Sequence, residues 1–228
     1  MNEMYFIKKN VDKLYEGGYT TFLDMRFQNL INQKMKIDYN VFKPFEESER
    51  VIYYVNEKPN IVLYEIQTDD VLRHQDIMGT IYSLGLDETL FGDIIVDNDK
   101  YYIYMFDTIE NYVVNNVNMI KKSKVKLVKI DIDYLKDYKR KYEEITLIVS
   151  SKRIDTIVSR LTNINRKEIL DKIKNEEVLV NYSPVKNNSY ILKENDIFSI
   201  RKYGKYRFNG VINQTKKENL VVKIDKYL

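Results

Sequence analysis

The hydrophobic positions of the first forty residues recur at helical spacing, as Phe27 and Ile31 illustrate. The pair Gly17-Gly18 interrupts this pattern, and Pro44 ends it. From about residue 50 the apolar residues form short runs rich in β-branched and aromatic side chains, which favours strands. We therefore predict a mostly helical N-terminal region over residues 1–60 that includes a first strand.

Strand and helix patterns alternate in the middle of the chain, over residues 61–146. They predict a strand at 61–66, a helix from Asp69 to Leu84, strands at 92–96 and 101–106, a helix from Thr108 to about Met119, and a strand at 125–130. This β-α-β-β-α-β order is that of a ferredoxin-like sandwich, followed by a charged connector over 131–146. The same layout hosts RNA-binding modules, enzymes and small-molecule sensors, so it does not decide the function.

The last part of the chain, residues 147–228, begins with two short helical patterns. Ile154, Ile157, Val158 and Leu161 fall at i, i+3, i+4 and i+7, and a second helix begins at Asn165, a favourable N-cap. Strands of a small bent sheet are then predicted at 178–181, 189–192, 196–201, 206–212 and 220–224. The fold class expected for the whole chain is α+β.

Charge is divided unevenly between the two parts of the chain. Residues 151–228 hold 17 Lys+Arg against 9 Asp+Glu, or +8, whereas residues 1–150 hold 20 against 25, or −5. The formal net charge of +3 therefore conceals a basic C-terminal end. Such segregation indicates a surface that binds a polyanion.

Two arginines are the strongest candidates for phosphate contacts. Arg166 and Lys167 lie in the first turn of the second helix, where the helix dipole favours anions, so two cations there suggest a phosphate between them. Arg153 begins the first helix toward the same end, and Asp155 is expected to fix helix geometry. Lys167 and Lys174 are further candidates, although both have the spacing to pair with Asp171 in a solvated salt-bridge ladder.

A basic and aromatic stretch near residue 205 supplies a second group of candidates. Its cations, which could meet phosphates, are Arg201, Lys202, Lys205 and Arg207. Tyr203 and Tyr206 could stack on unpaired bases. The alternative is that at least one of Tyr203, Tyr206 and Phe208 belongs to the core.

Residue types that carry catalysis are scarce. The chain has no cysteine, one histidine and no glycine-rich phosphate loop, so we predict no catalytic residue, no metal site and no cofactor. His74 is expected to be a structural hydrogen-bonding residue. No run of about 18 apolar residues and no signal-peptide pattern is present, which predicts a cytoplasmic protein without a membrane partner.

Several short motifs together resemble a known family. Arg153-Ile154-Asp155, Arg166 and Val178-Leu179-Val180-Asn181 resemble the alpha-L (S4-like) RNA-binding domain between Lys152 and Phe208. The whole chain is similar to YlmH-type proteins, with supporting matches at 22–28, 74–76, Gly79, 84–86, 92–94, 196–201 and 203–204. It departs from the family's glycines at Glu176 or Glu177, at Asn195 and at Lys202, and Lys205 and Tyr206 replace an arginine and a phenylalanine.

This resemblance implies a noncatalytic RNA-binding role on the ribosome. The implied partners are ribosomal RNA, a transfer RNA and the large subunit during rescue or quality control of stalled translation, with an acidic N-terminal part that orients the protein or contacts other proteins. Two other classes stay open: an RNA-modifying enzyme or its accessory, because alpha-L domains also accompany such enzymes, and an interaction protein associated with cell division.

Overall fold

The computed structural model describes residues 3–228 and divides the chain into two compact units, Met1–Lys139 and Arg140–Leu228. The first unit begins with two helices and a two-stranded antiparallel sheet, α1 (Glu3–Tyr15), α2 (Met25–Asn32), β1 (Asn40–Phe42) and β2 (Ile52–Tyr54). Asp24 caps α2 by accepting the backbone N–H of Phe27. The predicted helices on either side of the glycine pair are observed, but the second ends at Asn32, before the expected end at Pro44, and residues 1–60 contain two strands instead of one.

The rest of the first unit is a four-stranded antiparallel sheet with two helices. Its elements are β3 (Ile61–Gln67), α3 (His74–Ser83), β4 (Phe91–Asp97), β5 (Lys100–Phe106), α4 (Glu110–Asn116), a small hairpin of β6 (Met119–Ile120) and β7 (Ser123–Lys124), and β8 (Lys126–Ile130). The strands lie in the order β4-β5-β3-β8. The predicted β-α-β-β-α-β order is therefore confirmed.

Two boundaries differ from the sequence prediction. Helix α3 begins at His74 rather than Asp69, because the backbone N–H of Leu72 donates to the buried Tyr101 hydroxyl and Arg73, just before the helix, has an extended backbone. Helix α4 ends at Asn116, and the residues after it form the hairpin that the sequence reading missed.

Both faces of the four-stranded sheet are covered. Side chains of α3 and α4, such as Ile77 and Val113, pack on one face. The opposite face carries Tyr102, Tyr104 and Phe106 of β5, and all three are buried under the N-terminal elements and residues 131–138. The layers that cover this face contribute Phe22, Phe45, Ile52, Leu135 and Tyr138.

The second unit packs two helices on a six-stranded antiparallel sheet. Its elements are β9 (Tyr142–Val149), α5 (Ile154–Thr162), α6 (Arg166–Lys174), β10 (Val178–Val180), β11 (Ser183–Pro184), β12 (Ile197–Ile200), β13 (Gly204–Gln214) and β14 (Leu220–Tyr227). The strand order is β11-β10-β12-β13-β14-β9, with two register irregularities in β13. One core holds the inner faces of α5, α6 and the sheet.

The second unit differs from the prediction at two places. Residues 142–146, assigned to the connector, are part of β9, which pairs with all of β14 and belongs to the sheet. Residues 189–192, predicted as a strand, form a turn with one isolated bridge, because Tyr190 and Leu192 bond the backbone around the start of α5 instead. The compact unit thus begins near residue 140, earlier than the predicted 147.

Several turns in the second unit place non-glycine residues at positive φ, and three of these residues bear on the comparison with the family's glycines. These are Glu176 at +57°, Asn195 at +68° and Lys202 at +73°, the positions at which the chain departs from the family's glycines. At the end of α6 the N–H of Glu176 bonds the carbonyl of Ile173 and the N–H of Glu177 bonds that of Lys172. This is the Schellman arrangement, which usually has glycine at the left-handed position. The tight turns are kept without glycine.

Gly92 offers the sharpest test of packing in the first unit. A Cβ at Gly92 would lie 2.8 Å from Cβ of Tyr104 and 2.9 Å from the Phe22 ring, whereas one at Gly79, in α3, meets nothing within 4 Å. We expect Gly92→Ala to lower the unfolding free energy of this unit by roughly 1–3 kcal/mol. The matched Gly79→Ala should raise it by roughly 0.5–1 kcal/mol, since alanine favours the helix. Urea unfolding followed by circular dichroism measures both, and equal effects would contradict the packing described.

Glu176 tests the conformational cost of the left-handed turns. We expect Glu176→Gly to raise the unfolding free energy of the second unit by roughly 0.5–1 kcal/mol, because glycine adopts positive φ without steric cost. Glu177→Gly, at the adjacent residue without positive φ, is the control and should bring no gain. Urea titration measures the unfolding free energy of both variants, and an equal gain in the two would contradict the prediction.

Candidate nucleic-acid interface

A buried carboxylate joins the two arginines that begin the helices of the second unit. Asp155 has a side chain with 0% exposure and accepts hydrogen bonds from Arg153 at 3.1 Å (Nε) and 2.8 Å (Nη2). Arg166 donates to the same carboxylate at 2.8 Å (Nη2) and 3.3 Å (Nε). The expected role of Asp155 in fixing helix geometry agrees with this arrangement, which ties the start of α5 to the start of α6.

The two guanidinium groups also set the protonation of the carboxylate. Burial acts to raise the pKa of Asp155, but the hydrogen bonds from Arg153 and Arg166 outweigh it and lower the pKa to about 2. The carboxylate is therefore ionised at neutral pH. A buried charge is stable only when it is paired, and here two cations pair with it.

The paired arginines retain capacity for a further ligand. Their side chains are 32% exposed for Arg153 and 59% for Arg166. A guanidinium carries five N–H donors, and each arginine uses two of its nitrogens on Asp155. The pair carries two positive charges against one negative charge, so the helix tips present net positive charge to solvent.

An open groove of about 560 Å³ adjoins these helix tips. Ser159, Arg160, Asn163 and Asn165 line it together with Asp155 and Arg166. The Asn165 side chain accepts the backbone N–H of Glu168 at 3.0 Å and so caps α6, as the sequence predicted. Hydroxyl, amide and guanidinium groups in one concave surface suit a sugar-phosphate backbone.

The exposed lysines of α6 do not form the salt-bridge ladder that the sequence allowed. Within residues 3–228 neither Lys167 nor Lys174 forms an ion pair with Asp171, and Lys172 pairs with Glu177 at 2.8 Å instead. Lys167 lies beside Arg166 in the first turn, so it stays a predicted phosphate contact at the helix tips. Lys174 lies at the other end of the same helix.

The residues of the basic and aromatic stretch near residue 205, the second group of predicted RNA contacts, are divided between a turn and one face of the sheet. Arg201, Lys202 and Tyr203 form the exposed turn before β13, near the end of α6, where the N–H of Arg201 bonds the carbonyl of Glu177. The Tyr203 ring is 38% exposed and lies 5.6 Å from Nζ of Lys172. Base stacking by Tyr203 stays a prediction.

Lys205 and Arg207 lie on the sheet face opposite the helices. Nζ of Lys205 donates to the Tyr182 hydroxyl at 2.7 Å and lies 4.8 Å from the Tyr182 and Tyr227 ring centres. The Arg207 guanidinium lies 4.7 Å from the Tyr142 ring centre. The tyrosines that hold these cations are residues that the sequence reading missed, since only strand pairing brings them together.

Tyr206 corrects one prediction. Its side chain is 4% exposed and its ring is stacked on Phe198 with the centroids 5.3 Å apart, so its faces lie within the core. Base stacking by Tyr206 is therefore wrong, and the alternative of a core aromatic is confirmed for Tyr206 and Phe208. Alternation along β13 puts both residues on the inner face.

In the described part of the chain, no group of three or more His, Cys, Asp or Glu side chains is placed to hold a metal ion. Within residues 3–228 no helix is long and apolar enough to cross a bilayer. His74 begins α3, and its structural role stays a prediction.

Both units of this chain contain segments that are similar in sequence to known proteins. Residues 56–134 match the family model described as "Putative RNA-binding domain in YlmH", and residues 152–198 match the S4 domain. The "Ribosome-associated protein quality control protein P2" of Bacillus subtilis (strain 168) is 24% identical over 233 residues, covering 96% of this chain and 91% of that protein. The solved structure "Cell division protein ylmH from Streptococcus pneumoniae" is 24% identical with a TM-score of 0.46, covering 59% of this chain and 90% of that chain. The resemblance drawn from the sequence motifs is confirmed.

Asp155 generates a prediction about stability and pH. Because its folded pKa of about 2 lies below the ordinary value of about 3.9, its contribution is present above about pH 4 and is lost as pH falls toward 2. We expect Asp155→Asn to lower the unfolding free energy of the second unit by on the order of 2 kcal/mol at pH 7.

The difference in unfolding free energy between Asp155→Asn and the wild type should become smaller as the pH falls from 4 to 2. Urea titrations at several pH values measure it. Asp171→Asn, on the exposed side of α6, is the control and should change little. If both variants behave alike, Asp155 does not join the helices.

Proposed function

We propose that this chain, which joins a YlmH-type RNA-binding domain to an S4 domain, is a noncatalytic RNA-binding protein that associates with the ribosome. The observation that carries the proposal is the pair of arginines held by buried Asp155 at the adjoining tips of α5 and α6. Fixed guanidinium groups bind phosphates well because little side-chain freedom is lost on binding. The excess of eight positive charges in residues 151–228 supports the same ligand.

Association with the ribosome is supported by the Bacillus subtilis relative, whose name describes a ribosome-associated quality control protein and whose similarity spans nearly the whole chain. We propose that the partners are ribosomal RNA and a transfer RNA on the large subunit, during rescue of stalled translation. Such a partner places the protein in the cytoplasm.

Within the proposal, the cationic candidates have separate tasks. Arg153, Arg166 and Lys167 would contact phosphates at the helix tips, beside the polar groove. Lys174, Arg201 and Lys202 would add contacts near the other end of α6. Lys205 and Arg207 lie on the opposite sheet face, where tyrosines hold them, so they would contact a different part of the RNA.

A noncatalytic role agrees with the family model matched by residues 56–134, whose description names RNA binding and no reaction. The protein would act by occupying a site on RNA and holding it in place. An RNA-modifying enzyme would instead leave a missing modified nucleotide in the RNA of a deletion strain, which mass spectrometry of digested ribosomal RNA detects.

The helix tips are tested by Arg166→Ala combined with Lys167→Ala. Arg153 remains to pair with Asp155, so the buried charge keeps a partner. We expect weaker co-sedimentation with purified large ribosomal subunits, and a slope of log affinity against log salt shallower by about 1.5, because each phosphate contact contributes about 0.7 to 0.9.

The matched control is Lys216→Ala with Lys217→Ala, which removes the same charge from the exposed turn between β13 and β14. It should bind nearly as wild type does. Equal binding by both double variants would overturn the assignment of the helix tips, and absence of wild-type binding would overturn the proposed function.

A further inference from the structure

A second concentration of positive charge lies in the first unit, within its otherwise acidic surroundings. Five lysines occur between residues 121 and 129, and no acidic residue lies between Glu110 and Asp131. The other residues up to 150 hold 15 Lys+Arg against 25 Asp+Glu. We call this group the lysine edge, and its members are Lys121, Lys122, Lys124, Lys126 and Lys129.

The fold places the lysine edge along one margin of the ferredoxin-like sheet. The hairpin of β6 and β7 carries the first three lysines, and β8, the outer strand of the sheet, carries the other two. All five side chains belong to exposed residues. The segment between Met119 and Ile130 therefore presents its positive charge to solvent.

Acidic side chains fasten the two ends of the lysine edge. Nζ of Lys121 lies 2.6 Å from Oδ1 of Asp76 in α3, and Asp76 also accepts from Arg73 at 3.0 Å. Nζ of Lys129 lies 2.8 Å from Oε1 of Glu110. These pairs join the hairpin to α3 and β8 to α4.

The three central lysines have no such partner. Within residues 3–228, Lys122, Lys124 and Lys126 form no ion pair. The fastened ends thus hold the central three in place without neutralising them. Unneutralised cations on an ordered element are suited to a polyanion.

Protection of a sheet margin is the simpler explanation for lysines on an outer strand, because charged side chains discourage pairing with another chain. It accounts for Lys126 and Lys129 in β8. It does not account for Lys121, Lys122 and Lys124, which lie in the hairpin outside the four-stranded sheet.

We propose that the lysine edge is a second RNA-binding surface, which contacts the phosphate backbone of structured RNA through Lys122, Lys124 and Lys126. This inference rests on the proposed function and extends it, because it assigns the RNA contact of the first unit to particular side chains. The residue range of the YlmH-type RNA-binding domain, 56–134, includes the whole lysine edge.

The test is a triple charge reversal in the full chain, Lys122→Glu, Lys124→Glu and Lys126→Glu. The matched control is Lys8→Glu, Lys9→Glu and Lys34→Glu, which makes the same change in net charge at exposed lysines of the same unit. Fluorescence anisotropy of the labelled proteins measures affinity for purified large ribosomal subunits and for naked ribosomal RNA over a series of salt concentrations. Circular dichroism checks that each variant is folded.

We expect the lysine-edge variant to bind both probes roughly tenfold or more weakly at 0.1 M salt, with a salt slope shallower by about 2, while the control stays near wild type. Equal losses in the two triple variants would indicate a net-charge effect and overturn the proposal. If only the helix-tip double variant loses binding, the lysine edge has no part in it and the proposed function stands. If wild type binds naked RNA but not subunits, ribosome association fails, and the comparison on naked RNA still decides the lysine edge.

Binding of an acidic protein or a membrane is distinguished in the same assay. Polyglutamate and vesicles with anionic phospholipid replace RNA as probes. If either one binds the wild type more tightly than RNA does at equal salt, and loses affinity only in the lysine-edge variant, RNA is not the ligand and the proposal is overturned.

Discussion

The second unit depends on one constraint, which is that the charge of Asp155 cannot remain buried without cations beside it. Arg153 and Arg166 meet this requirement from two different helices, so the same contacts that stabilise the carboxylate fix where α5 and α6 begin. The arginines are in turn held in one orientation by the carboxylate. The same three side chains thus link the stability of the second unit to the orientation of the arginines proposed to bind phosphate, and Asp155 and Arg166 also line the polar groove.

Much of the fold could be predicted from the spacing of hydrophobic residues along the chain, because the buried face of each helix or strand determines that spacing. The β-branched and aromatic run from Ile61 and the helical spacing from Ile154 both correspond to observed elements. Errors arose where tertiary contacts decide the local structure. The Tyr101 hydroxyl binds the backbone ahead of α3, and the charged start of β9 resembles a connector until its pairing with β14 is known.

The candidate site was predictable to a similar extent. Helix position and charge single out Arg153 and Arg166, but not the burial of Asp155 between them, since that depends on how the two helices pack. Tyr206 could have been assigned to the core from its two-residue spacing from Phe208. The net charge of residues 1–150 does not reveal the lysine edge, because the acidic residues elsewhere in that range outnumber the basic ones.

The covered sheet of the first unit has a consequence for selectivity. Tyr102, Tyr104 and Phe106 lie under Phe22, Phe45 and Leu135, so the aromatic rings of β5 are closed to nucleobases. What this unit presents along its margin is ammonium groups, which respond to the spacing of phosphates and not to the identity of the bases. If the lysine edge binds RNA as proposed, it would follow the contour of a folded RNA and tolerate changes in the nucleotide sequence for as long as that contour is preserved.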